Sequence, residues 1–261
     1  MDNANPPNIP NIMEKKIFFL NTSPFFQNEI GGELIHQEFE IYYTAEYTNL
    51  KKALKKFPES IVFVNLDSLL PEKEWEVWIR RTMADPSTAS TKFGVLVDLY
   101  NEQQEQKYTE VLRLPCGYTV VSKSDPQKTF RQLNSLLVTM EARGRRKYLR
   151  ATSENDTQMT INIPHDGFYL KGIIKDISSV GISCSFQKDP ELDKNTLCKD
   201  MQLKLQTAIL KTEGIVFGSR TDGLSKIYVF LFTQRVAPEA RARIRVFVGQ
   251  ILQERMTRLL T

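Results

Sequence analysis

No stretch of this sequence holds the ~20 consecutive apolar residues that a membrane-spanning helix requires. Its longest apolar runs, such as Ile61–Leu66 and Ile227–Phe232, have the length of strands. Met1–Met13 is polar, rich in Pro and Asn, and lacks the basic-then-apolar order of an export signal, so a cytoplasmic location without membrane contact is expected. Cysteine is scarce: Cys116, Cys184 and Cys198 are widely spaced with no C-x-x-C, which speaks against a disulfide framework and predicts reduced thiols. In that setting the glycosylation-like triplets at Asn21 and Asn155 carry no meaning. The two histidines, His36 and His165, lie far apart with no cysteine at ligand spacing, so neither a metal site nor a histidine-based triad is expected. A nucleophile–base pair and a phosphate-cradling glycine loop are also missing, and the expectation is a protein that is not an enzyme and needs no cofactor.

What is present is a folded chain of 261 residues, 41% hydrophobic and 25% charged, long enough for two domains. Its charge is split: residues 142–261 carry 20 Lys/Arg against 12 Asp/Glu, net +8, and residues 1–141 carry 15 against 19, net −4. An anionic ligand belongs with the second half.

Short apolar runs at Ile17–Leu20, Phe39–Tyr43, Ile61–Leu66, Phe93–Val97 and Tyr118–Val121 alternate with helix-like segments near 45–56, 73–84, 101–112 and 128–141. This order predicts a parallel α/β domain over 1–141. Trp75 and Trp78 are expected to anchor a helix to its core. Residues 142–150, A-R-G-R-R-K-Y-L-R, read as a basic linker. Beyond it, candidate strands at 158–163, 168–177, 181–186, 201–207, 210–217 and 225–233 follow without helices between them, and Pro238 opens a helix to about Leu260. Residues 151–261 therefore read as a six-stranded antiparallel barrel with a C-terminal helix, giving a two-domain α+β chain.

Two short motifs flank the start of this barrel. Arg146 and Arg150 point to one side of an extended segment, where paired guanidiniums can grip phosphate oxygens or stack on a purine. Asp176-Ile-Ser178-Ser-Val-Gly181 supplies a carboxylate that can accept from the N–H edge of guanine, a hydroxyl, and a glycine that permits close approach. Each motif alone matches an ordinary solvated linker or a Ser/Gly turn. Together, as R-x-x-x-R before a barrel and D-x-S-x-x-G one hairpin later, they resemble the PilZ family over residues 141–261.

That resemblance implies a bacterial receptor for the second messenger cyclic di-GMP, with Arg146 and Arg150 holding phosphates and guanine faces and with Asp176, Ser178 and Gly181 binding a guanine. Arg145 is added as a further contact, a solvent-facing charge being the equal alternative. On this reading the ligand changes the arrangement of the two domains and an unidentified downstream protein, or nucleic acid, reads the result.

The first half also resembles a response-regulator receiver, with Asp67 after the third strand and Lys123 after the last, or else a second, degenerate PilZ-like barrel. Because Asn21-Thr-Ser replaces the acidic pair that would hold Mg²⁺, phosphorylation is not expected. Asp67 then reads as a capping or turn residue. A nucleic-acid-binding regulator using Arg143, Arg145, Arg146, Lys147 and the Arg241/Arg243/Arg245 run is the alternative function.

Overall fold

Strands β1 (Ile17–Leu20), β3 (Ile61–Asn65) and β4 (Lys92–Val97) are built almost wholly from Val, Ile, Leu and Phe, and nearly every residue in them is buried. A strand with both faces apolar fits only a sheet covered on both sides, the usual setting of parallel sheets. In the computed structural model, which describes residues 15–144, 146–153, 159–223 and 225–260, these strands run parallel, joined by β5 (Tyr118–Val120), with β2 (Ile41–Thr44) beside β1. The order β2-β1-β3-β4-β5 is that of a doubly wound α/β sheet. The degenerate barrel considered for this half is therefore not what these residues form.

Between the strands lie α2 (Tyr47–Lys56), α3 (Glu72–Ala84) and α4 (Glu102–Gln106), which runs on as a π-helical stretch Lys107–Val111, and α5 (Pro126–Thr139) follows β5. Asp125 caps α5 by accepting the Lys128 N–H, with Pro126 in the first turn. Trp75 is fully buried, meets Trp78 edge-on at 5.9 Å, and donates its indole N–H to Ser68 O at 3.0 Å, as expected of an anchor.

The chain forms two compact units, one made of 15–23 with 43–144 and the other of 24–42 with 146–259. Segment 24–42 contains a helix that its apolar pattern does not predict: a π-helical stretch Phe26–Gly31 followed by α1 (Gly32–His36).

In the second unit, β6 (Arg150–Thr152) is followed by β7 (Met159–His165), β8 (Phe168–Ser178), β9 (Gly181–Phe186), β10 (Leu197–Leu205), β11 (Ala208–Asp222) and β12 (Ser225–Phe232). Strands β7 to β12 pair antiparallel in the cyclic order β8-β7-β10-β11-β12-β9, and β9 returns to β8, so the barrel closes. Closure leaves no open edge among these six. Alternating residues Met159, Ile161, Ile163 and Met201, Leu203, Leu205 fill the interior. Helix α6 (Pro238–Leu260) adds Ile244, Phe247, Val248 and Ile251 to the same core. All three cysteines are free and buried, Cys116 in the first unit and Cys184 and Cys198 in the second. Among the described residues no helix is long and apolar enough to cross a membrane.

Candidate functional site

The segment carrying the arginine motif ends in a strand. Short β6 pairs antiparallel with the C-terminal end of β8, with Arg150 opposite Ser178 and Thr152 opposite Asp176. This register brings the end of R-x-x-x-R against the start of D-x-S-x-x-G. Arg150 Nη1 lies 3.6 Å from Asp176 Oδ1, with both side chains partly open to solvent. Arg146, four residues upstream, is exposed. Arg145 lies outside the described residues.

Asp176 sits just after an irregularity in the β8–β9 ladder, between Ile174 and Asp176, and faces Ser183 across it. Such a bulge re-aims side chains at a barrel rim. The Ser183 hydroxyl donates to Asp176 Oδ2, so one carboxylate oxygen is held by a neighbouring strand while the other faces Arg150. Ser183 lay outside the motif, and only the cross-strand register reveals it.

Ser178 and Gly181 shape the turn. Ser178 is buried and its hydroxyl donates to Gly181 O at 3.2 Å. A Cβ on Gly181 would stand 2.3 Å from Phe230 O, so the glycine lets β9 approach β12. Both residues thus have demands on them from within the barrel, beside any contact to a ligand.

The turn residue Ser179 is gripped from two sides. Its hydroxyl donates to Glu38 Oε1 at 2.8 Å, and its carbonyl accepts from Arg241 Nη1 at 2.9 Å. Arg241 also donates to Thr233 O at 2.7 Å, and Arg245 Nε donates to Glu38 Oε1 at 2.8 Å. Two arginines of the run invoked for nucleic-acid binding are therefore engaged inside the second unit, four residues apart on one face of α6. A shallow depression of about 270 Å³ lies farther along the β8–β9 ladder, lined by Thr160, Asn162, Lys171, Ile173, Ser185 and Gln187 among others.

The first unit has its own cleft, about 720 Å³, beyond the C-terminal ends of β4 and β5. Lys123 donates to Asp98 Oδ2 at 2.7 Å there, and the Asp98 N–H donates to Asp67 Oδ2 at 2.5 Å. Asp67 caps no helix, since α3 begins after Pro71, and instead ties the turn after β3 to the loop after β4. The carbonyl of Asn21, where the sequence lacks an acidic pair, accepts from Asn65 Nδ2 and Ser68 Oγ, both at 2.9 Å.

No protein-family model matches the chain, and no curated protein matches it. Among solved structures it is similar to the PilZ domain with c-di-GMP of YcgR from Escherichia coli, at 17% identity over 44% of this chain and 95% of that one, TM-score 0.36. It is similar to the K. pneumonia MrkH–c-di-GMP complex at 20% identity, covering 44% of this chain and 56% of that one, TM-score 0.39. The Borreliella burgdorferi PlzA protein in complex with c-di-GMP matches at 18% identity over 49% and 57%, TM-score 0.30. This chain is thus similar to PilZ-domain structures over its barrel, the half that carries both motifs.

Proposed function

We propose that the chain is a cyclic di-GMP receptor whose ligand is held by Arg146 and Arg150 from the linker and by Asp176 from the barrel rim. Ser178 and Gly181 shape the turn that meets a guanine, and Arg145 extends the cationic side. The observation that supports this reading best is the β6–β8 register, which sets Arg150 opposite Ser178 with its guanidinium 3.6 Å from Asp176. A guanidinium pair answers two phosphates, and a carboxylate oxygen accepts from the guanine N1–H and N2–H₂ edge. The contact between Arg150 and Asp176 is long, at 3.6 Å, and partly open to solvent, so it is weak and exchanging it for ligand contacts costs little.

The output is a change in the arrangement of the two halves, driven by the ligand's differential affinity for the bound geometry and read by a downstream protein. The cytoplasm, where such a messenger is made and read, is the expected compartment. Neither a metal nor a cofactor enters this role, and no chemical step is asked of the chain.

Calorimetric titration tests it. Wild type should bind cyclic di-GMP and not cyclic di-AMP, whose adenine lacks the N–H edge that Asp176 accepts from. Arg146→Ala with Arg150→Ala should abolish measurable binding, and Asp176→Ala should weaken it at least ~10-fold, the scale of one charge-assisted hydrogen bond. Absence of heat with wild type would sink the proposal.

A further inference from the structure

We infer that Glu38, from the helix-containing segment 24–42, is a positioning residue for the ligand site, joining the two strips that carry the binding motifs. Its carboxylate accepts three bonds: from the Leu149 N–H at 2.9 Å, from the Ser179 hydroxyl at 2.8 Å and from Arg245 Nε at 2.8 Å. Leu149 lies inside R-x-x-x-R, directly before Arg150. Ser179 lies inside D-x-S-x-x-G, directly after Ser178. One side chain, only 10% exposed, therefore holds both motifs and helix α6 in a single geometry.

The backbone supports a role for the side chain. The Phe39 N–H bonds Leu34 O and the Glu38 N–H bonds Ile35 O, the paired pattern that closes a helix through a left-handed residue. That residue is Glu38, with φ of 64°. Glycine is the usual occupant of such a position because a side chain strains it. A glutamate here works against the turn, and its three bonds are what it contributes in return. Arg241 completes the arrangement by holding the Ser179 carbonyl, so the turn is fixed at its hydroxyl and at its carbonyl.

The inference rests on the receptor reading for its functional meaning, but the joint itself can be measured without ligand. Glu38→Gly is the informative variant, since it eases the backbone while removing the carboxylate. In the full chain without ligand, amide exchange at Leu149 should be at least ~10-fold faster in Glu38→Gly than in wild type, the effect of losing one charge-assisted bond. Cyclic di-GMP should then bind about tenfold more weakly at unchanged stoichiometry. Glu38→Gln, which keeps a carbonyl acceptor, should recover part of both.

A purely structural role would lower the thermal midpoint and leave the affinity of the folded protein as it was. Wild-type Leu149 exchange and wild-type affinity in Glu38→Gly would overturn the inference. If wild type itself takes up no cyclic di-GMP, the receptor reading fails and Leu149 exchange alone decides whether Glu38 joins the two strips.

Discussion

Asp189, just past β9, accepts from the Tyr228 hydroxyl, from the Glu191 N–H at 3.0 Å and from Lys226 at 3.1 Å. The Tyr228 bond first, then the Glu191 N–H, and with a smaller part from Lys226, hold its carboxyl at about 2, below the ordinary 3.8, against the opposing effect of burial. A carboxyl depressed on folding stabilises the fold above its unfolded pKa, and that contribution disappears as pH falls through the folded value. Asp189→Asn should therefore melt below wild type near neutral pH, and the gap should close as pH drops from about 4 toward 2. Melting curves across that range check it. At this scale the sequence displayed Arg146, Arg150, Asp176, Ser178 and Gly181, because their spacing is local. It concealed Ser183 and Glu38. The first meets Asp176 only through strand register, and the second reaches Leu149, Ser179 and Arg245 across 111, 141 and 207 positions of chain.

Most elements were legible because their apolar period is strong, from the buried runs of β1, β3 and β4 to the alternation in β7 and β10 and the long stripe of α6. Two were not. The helical segment before β2 contains Gly31 and Gly32 side by side, which lowers intrinsic helix propensity by roughly 1 kcal/mol each relative to alanine. Buried Phe26, Ile30 and Leu34, four apart, restore it through packing. Strand β6 is only three residues long and owes its form to pairing with β8. Closure of the barrel gives a sharper prediction. Gly181→Ala would place a methyl 2.3 Å from the Phe230 carbonyl, so β9 and β12 must separate. We expect a loss of ~1–3 kcal/mol in denaturant unfolding, typical of overpacking. Leu203→Ala, in contrast, empties the barrel interior, and ~2–5 kcal/mol is expected.

At the level of the whole chain, the charge division seen in composition separates an acidic first half from a basic second half, and the parallel sheet and the closed barrel each have a core of their own. The sequence places the boundary near residue 142. The compact units instead draw segment 24–42 together with the barrel, because Glu38 bonds Arg245 and Ile35 lies where a Cβ on Gly249 would touch it at 3.5 Å. Residues 142–261 produced alone lack both contacts, and their barrel should melt at a lower temperature than in the full chain, as scanning calorimetry would read. The distribution of cysteine has a consequence of its own. One thiol is sealed in the first unit and two in the second, and burial pushes Cys116 up to about 12 and Cys184 higher still. A thiol-reactive probe can modify them only during an opening of the unit that encloses them. The molecule thus carries its own clocks, and the labelling rate of Cys116 against those of Cys184 and Cys198 would time how often each half breathes, with and without the messenger.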